Sequence, residues 1–386
     1  MKSSIHKKPT KKLKAAFIIF FFILSFQTNL SGTPKNKHLD LGNSSATSIQ
    51  CVWIGVEKIV AVGDVHGDYE NFVKILKGTE LIDKELHWTG GKTHLVQTGD
   101  IMDRGPDAKK VLDLLMRLEK EAKEAGGKVH ALIGNHEEMN IIGISLRFTG
   151  YVGVNQFISF LPDKYRKKKE KEFRKKIKKN ALKETEPDSA SNNNLEANWE
   201  KFLREVIRNN NHPARREYTD SFNEKYGRWI LQHNAVIKIN DTIFVHGGIS
   251  EKFSTWKLED INNLLRKELN SLRIAAKRLH PIQSFKPEIV FVSDGPLWYR
   301  GLAQRDENDF KEDIDRILHN LNAKYMVIAH TPQTGSIAVS TEDMSRFQER
   351  IWIIDTGMSD YYGGIPAALI IENGNFSIWW EGYDEK

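Results

Sequence analysis

Five short stretches of this chain hold side chains whose types and spacing could do chemistry: GDVHG (63–67), GDIMDRG (99–105), GNHEEMN (134–140), FVHGG (244–248) and VIAHTPQ (327–333). In the first, Asp64 and His66 stand two residues apart just beyond the apolar run KIVAV. Residues i and i+2 of an extended segment point to one face, so a carboxylate and an imidazole would sit side by side there. The other stretches add Asp100, Asn135, His246 and His330, each again where an apolar run ends. Taken singly, each has a plain explanation: Asp and Asn start turns, and a lone His is commonly a hydrogen-bonded polar residue. Five strand ends that each offer an oxygen or nitrogen donor are not covered by that explanation. Mixed carboxylate, imidazole and amide donors suit two divalent ions of the Mn, Fe or Zn kind rather than Ca or Mg alone.

Such a cluster needs strands that end together. KIVAV, THLVQT and KVHALI are short β-rich runs, each followed by a glycine: Gly63, Gly99 and Gly134. Between the second and third, Asp107 to Ala125 carries Val111, Leu114, Leu115 and Leu118 at helical spacing, with Gly126-Gly127 as a stop. Strand, loop, helix, strand is the pattern of parallel β-α-β units and predicts an α/β fold. In such sheets ligand groups gather beyond the carboxyl ends of the strands.

Composition narrows the class of partner. The 386 residues suffice for one large domain or two ordinary ones. The formal charge of +6 lies entirely in Lys2, Lys7, Lys8, Lys11, Lys12 and Lys14; the rest of the chain balances 51 basic against 51 acidic residues. Bulk charge therefore argues against a nucleic-acid partner. Those lysines lead into the apolar Ala15 to Phe26 and then a polar stretch, the layout of a secretory signal with cleavage near Ser31 or Gly32, or of an uncleaved signal-anchor. The folded part is expected to be exported: periplasmic, secreted or membrane-anchored. Cys51 is the only cysteine, so an internal disulfide is impossible and stability must come from the core.

The motifs GD-x-HG, GD-x-x-DRG, GNHE, HGG and the later His, in this order, resemble the calcineurin-like metallophosphoesterases and, within them, the phosphoprotein phosphatases. GDIMDRGP, FVHGGI, GPLWYRG and HTPQ are most similar to the Shewanella-like branch, and the resemblance covers about residues 58–372. It implies two mixed β-sheets in a sandwich flanked by helices, with IWIID (351–355) and AALIIENGNFSIWW (367–380) as the last strands and a hairpin turn at Asn373-Gly374. It also implies that Asp64, His66 and Asp100 hold a first metal, that Asp100 bridges to a second, and that Asn135, His246 and His330 complete the second. Phosphate esters resist attack because their own charge repels a nucleophile. Two metals answer this by lowering the pKa of a bridging water and neutralising phosphoryl oxygens during in-line displacement. Arg104 and Arg300 are the expected cradle for the remaining oxygens, as a guanidinium offers bidentate geometry. His136 would be the general acid for the leaving group, oriented by Asp103. Tyr361, or Tyr362 beside it, would line the pocket. The expected substrate is a phosphorylated protein, with phosphotyrosine favoured because the branch has tyrosine-directed members. The alternatives are a small-molecule phosphatase or dinucleoside polyphosphate hydrolase, and a catalytically silent exported binding protein on the same fold.

These expectations divide the chain into a signal or anchor (1–31), a linker (32–52) and a catalytic domain (53–386) with an insertion at about 161–216. The insertion opens with a Lys/Arg-rich helix, continues through the polar loop Pro187 to Asn194, and ends in a helix with Trp199, Phe202, Leu203, Val206 and Ile207 on one face. The basic helix reads as a solvated face; its sharper reading is a surface that steers acidic substrates or touches an anionic membrane.

Overall fold

The computed structural model describes residues 49–181, 195–277, 286–333 and 344–381. The signal or anchor segment, most of the linker and the loop from Pro187 to Asn194 lie outside the described residues. Among those described, eleven strands form two sheets. They are β1 (Val52–Trp53), β2 (Lys58–Val62), β3 (His94–Gln97), β4 (Lys128–Ala131), β5 (Val236–Ile239), β6 (Thr242–Val245), β7 (Tyr325–Ile328), β8 (Ser345–Arg346), β9 (Ile351–Ile353), β10 (Ala367–Glu372) and β11 (Asn375–Trp380). One sheet has the order β11-β10-β2-β3-β4, the other β1-β5-β6-β7-β9-β8.

Both sheets are mixed. The pairs β2–β3 and β3–β4 are parallel, with β10 antiparallel to β2. In the second sheet β6, β7 and β9 run parallel while β5 is antiparallel to β6. Beyond their first residues the central strands are apolar on both faces and buried, as β2 and β7 show, because each must pack against helices on one side and the opposing sheet on the other. The hairpin β10–β11 turns through Asn373 and Gly374, at φ of 50° and 82°. Two positive φ values match the right-handed twist of the strands, which is why Asn-Gly stands there.

Helix α1 (Tyr69–Gly78) starts at Asp68, whose carboxylate accepts from Asn71 N at 3.0 Å, so the loop carrying Asp64 and His66 is anchored at its far end. Helix α2 (Ala108–Glu124) joins β3 to β4 and buries Val111, Leu112, Leu114, Leu115 and Leu118. Helix α3 (Asn135–Ile142) begins with two expected site residues and is buried along its whole length. Helix α4 (Val154–Phe160) leads into the inserted region, made of α5 (Asp163–Ala181) and α6 (Leu195–Arg208), followed by α7 (Pro213–Phe222).

The inserted helices pack more closely than their composition suggests. Phe173 of α5 meets Trp199 and Phe202 of α6 at ring-centre distances of 5.1 and 5.7 Å. Lys169, read from sequence as part of a solvated basic face, is buried and paired with Glu172 at 2.6 Å and His212 at 3.2 Å. Its spacing on the helix turns it inward while Lys167 and Lys168 face out, a distinction that a run of like residues conceals. No helix among the described residues is long and apolar enough to cross a membrane.

Candidate metal centre and active site

The candidate ligands arise at the carboxyl ends of strands from both sheets. Asp64 and His66 follow β2, Asp100 follows β3, and Asn135 opens α3 just after β4; His246 follows β6 and His330 follows β7. All six side chains are buried. The backbone around them is unusual: His66, Asp100, Asp103, Arg104 and His330 have φ of 46°, 55°, 68°, 69° and 66°. Non-glycine residues cost about 1–3 kcal/mol each in this region and cluster where the surroundings hold them for a purpose. Here the restraint is visible. The Asp100 carbonyl accepts from Val65 N and His66 N at 3.1 and 2.9 Å. The Glu137 carboxylate accepts from Asp100 N, Ile101 N and Gly134 N at 2.8, 2.9 and 2.9 Å, locking the β3 loop to the start of α3. Gly99 and Gly134 make that contact possible, because a Cβ on Gly99 would lie 2.6 Å from Gly134 N.

The side chains then converge. His246 Nε2 lies 2.9 Å from Asn135 Oδ1, 3.2 Å from His330 Nδ1 and 3.3 Å from Asp100 Oδ1. His66 Nε2 lies 3.7 Å from both Asp64 Oδ2 and Asp100 Oδ2. Two groups could each hold an ion, His66–Asp100–His136 and Asp100–His246–His330, and they share Asp100. The chemistry of this donor set fits a cation. Asn135 Oδ1 faces the Asp100 carboxylate and both imidazole nitrogens, so electron-rich atoms point at one another. Rotating the amide would supply protons in a metal-free protein, while the oxygen-inward orientation is the one that ligates. The outer nitrogens of two imidazoles are occupied: His66 Nδ1 lies 3.0 Å from Met102 O and His246 Nδ1 lies 3.0 Å from Thr98 O. A proton donated there leaves the Nε2 lone pairs directed inward.

Electrostatics point the same way. Burial, reinforced by His136, pushes the His66 imidazole down to about 3, and burial with Arg300 and His246 holds His330 well below its ordinary value. Both are therefore neutral, the form that ligates. Asp100 is held well below the usual carboxylate range: burial opposes ionisation, but His246, His136 and His66 together outweigh it. Asp64 is pushed well above that range by burial and by the negative charges of Asp355 and Asp100. Carboxylates crowded in a dry site repel, and divalent cations relieve that repulsion.

Asp355 was missed in the sequence reading. It follows β9 and is buried; its Oδ1 accepts from Gly357 N at 3.1 Å and its Oδ2 has no partner among the described residues. Burial pushes it up to about 6. The signal was available, since IWIID closes an apolar run on a carboxylate as KIVAVGD does. His330 Nε2 is likewise buried with no partner among the described residues.

Beside the ligands stands a histidine with the opposite bias. His136 Nδ1 lies 2.7 Å from Asp103 Oδ2, and its Nε2 faces the centre, 3.9 Å from Asp100 Oδ2. Burial opposes its protonation, but Asp100 and Asp103 outweigh this and raise its pKa. Asp103 also accepts from Gln156 Nε2 at 2.7 Å and from Asn140 Nδ2 and Ser145 Oγ at 3.0 Å each. Arg104 stacks 4.0 Å from the centre of the Tyr151 ring and 4.8 Å from that of Tyr361, and its buried Nε has no partner among the described residues. Tyr151, also missed from sequence, lies 4.7 Å from the His136 ring. Arg300 is half-buried and donates to His330 O at 2.6 Å and Thr331 Oγ1 at 3.0 Å, so it is no ordinary surface arginine. Tyr361, the tyrosine favoured from sequence, is 56% exposed; Tyr362 turns inward, its ring 5.4 Å from that of His66.

Residues 57–334 match the model of the calcineurin-like phosphoesterases. The chain belongs to that family. Within it, this phosphoesterase is 29% identical over 321 residues to Shewanella-like protein phosphatase 2 of Arabidopsis thaliana, covering 82% of this chain and 75% of that protein. It is 26% identical over 364 residues to Shewanella-like protein phosphatase 1 of Plasmodium berghei, covering 90% and 82%. Among solved structures, the cold-active protein-tyrosine phosphatase of a psychrophilic Shewanella species is similar with a TM-score of 0.57 at 25% identity, over 90% of this chain and 88% of that one. The expected fold of two mixed sheets with flanking helices is the one observed, and the protein is a hydrolase of phosphoesters.

Proposed function

We propose that this phosphoesterase is a dinuclear protein phosphatase that acts on phosphotyrosine, phosphoserine or phosphothreonine side chains. The observation that carries the reading is the meeting of Asp100, Asn135, His246 and His330 at 2.9–3.3 Å with their electron-rich atoms inward, beside a histidine held protonated. Asp64, His66 and Asp100 would hold one divalent ion, and Asp100, Asn135, His246 and His330 the other. When bound, such ions activate an attacking water and neutralise phosphoryl oxygens.

The chain's own residues supply the rest. Arg104 and Arg300 flank the centre from opposite loops and offer forked N–H donors to a phosphoryl group. Arg104 is presented by Tyr151 and Tyr361, and its Nε, without a partner among the described residues, leaves donor capacity for substrate. His136 Nε2 gives its proton to the leaving oxygen, while Asp103 accepts from Nδ1 and keeps the ring oriented and cationic. The relatives' names support a protein substrate, and the Shewanella enzyme's title supports phosphotyrosine among the options. A silent relative would lack part of this set, and here each member is in place.

The deciding experiment is hydrolysis of phosphotyrosine and phosphoserine peptides by the purified domain after chelation, with Mn, Fe or Zn restored singly and metal content measured. Turnover of peptides with about two metals per chain supports the reading. Turnover of dinucleoside polyphosphates alone would replace it with a small-molecule hydrolase. The lysine-led apolar N-terminus supports export of the domain, which fractionation and N-terminal sequencing of the mature protein test.

A further inference from the structure

Away from the metal centre lies a cavity of about 480 Å³, bordered by the end of α3, by α7 and by the helix Leu258–Lys277. Its wall carries Arg147, Arg215, Arg216, Arg228, Arg273 and Lys277, against only two acids, Asp220 and Glu224. Arg216 is accounted for: it lies 3.5 Å from the Asp220 carboxylate and donates to Lys277 O at 3.1 Å. The other four arginines form no ion pair among the described residues. Arg215, only 8% exposed, donates to the neutral acceptors Ile207 O and Asn210 Oδ1 at 2.8 and 2.7 Å. Arg273 donates to Asn270 Oδ1 at 2.7 Å.

These arginines also stand in like-charged pairs. Burial and the nearby Arg147 pull the Arg215 guanidinium below its ordinary pKa, and burial and Arg228 do the same to Arg273. Guanidinium groups gathered on one wall without acidic partners repel one another and attract an anion. Where the chain borders the cavity it also widens into a π-turn, Asn223–Gly227, a feature frequent at functional sites.

We propose that this cavity is a second, non-catalytic site that binds a compact polyanion carrying two or more phosphate groups. Four arginines without an acidic partner on one cavity wall exceed the charge of a single phosphate, and the guanidinium fork matches phosphate geometry. The volume falls in the range of small-molecule sites, roughly 300–1,000 Å³.

The site is joined to the chemistry by two elements. Helix α3 carries Asn135 and His136 at one end and Ile142 at the other, where it lines the cavity. Helix α7 lines it with Arg215 and Thr219, while Tyr218 between them donates to Asn140 Oδ1 at 2.8 Å. Asn140 in turn holds Asp103.

Inositol hexasulfate, which a phosphatase cannot hydrolyse, is the probe. Calorimetric titration of the metal-loaded protein should show binding that the double variant R228E/R273E weakens at least tenfold, with nitrophenyl phosphate turnover unchanged. Should that variant fold poorly, R228Q/R273Q decides by the same comparison. Absence of binding to the unaltered protein, or equal binding by the variants, overturns the proposal. So does capture of a phosphoserine peptide without capture of the probe. A parallel arm with vesicles containing a bisphosphorylated inositol lipid separates a membrane headgroup from a free polyphosphate, either being lost with the same arginines.

Discussion

His136 and its neighbour Asn135 share one turn of helix, yet they answer to different partners. The His66 imidazole, whose outer nitrogen meets a backbone carbonyl, is pushed by burial toward the neutral form that presents a lone pair. His136 meets a carboxylate instead and is held cationic. His136→Ala should therefore slow hydrolysis of esters with poor leaving groups by about 10²–10⁴-fold while barely affecting nitrophenyl phosphate; equal losses on both would refute the acid role. Asp355 adds a negative charge beside Asp64, and its Oδ2 has no partner among the described residues. In the metal-free protein Asp355→Asn should raise the melting temperature by on the order of 2 °C, and the gain on adding metal should shrink. A lower metal-free melting temperature would show that Asp355 supports the fold through its hydrogen bonds instead.

At the scale of elements, the helices that flank the inserted region do more than decorate the surface. Phe160 of α4 packs edge-on against Tyr218, Phe222 and Tyr226 at 5.8, 5.3 and 5.1 Å. Tyr218 also accepts from Gln156 Nε2 at 2.8 Å, and Gln156 holds Asp103. Phe160→Ala should cost about 3–5 kcal/mol in urea unfolding and should reduce turnover of poor leaving groups more than of nitrophenyl phosphate. A stability loss with both substrates equally affected would confine α4 and α7 to packing. The periodicity of the second inserted helix was legible because apolar residues must gather on one face. The support that α7 gives to the acid was not, because Tyr218 and Asp103 are separated by more than a hundred residues of chain.

For the whole molecule, strand ends of the two sheets meet in a cluster that is electrostatically incomplete without cations. Chelation should abolish phosphoesterase activity and lower the melting temperature, and metal at a hundred times its Kd should restore about 2.7 kcal/mol of stability. A melting temperature indifferent to chelator, with activity retained, would remove the metal from the account. The family was readable from the motifs, and so was the alternation of strand and helix that sets it up. The strand ends were readable too, since apolar runs closing on glycine and a polar residue announce themselves locally.

The sequence by itself determined which side chains were available and in what order, because motif spacing and hydrophobic period are properties of neighbouring residues. It also determined the hairpin at Asn373-Gly374 and the span of α2, both set by local backbone preference. Only the tertiary structure decided that Asp355 joins the carboxylates, that Tyr362 turns inward where Tyr361 faces solvent, and that Lys169 is buried. It alone gathered arginines from four separate elements around one cavity. These outcomes depend on which distant segments meet and which charges then lose their water, and a linear chain records neither.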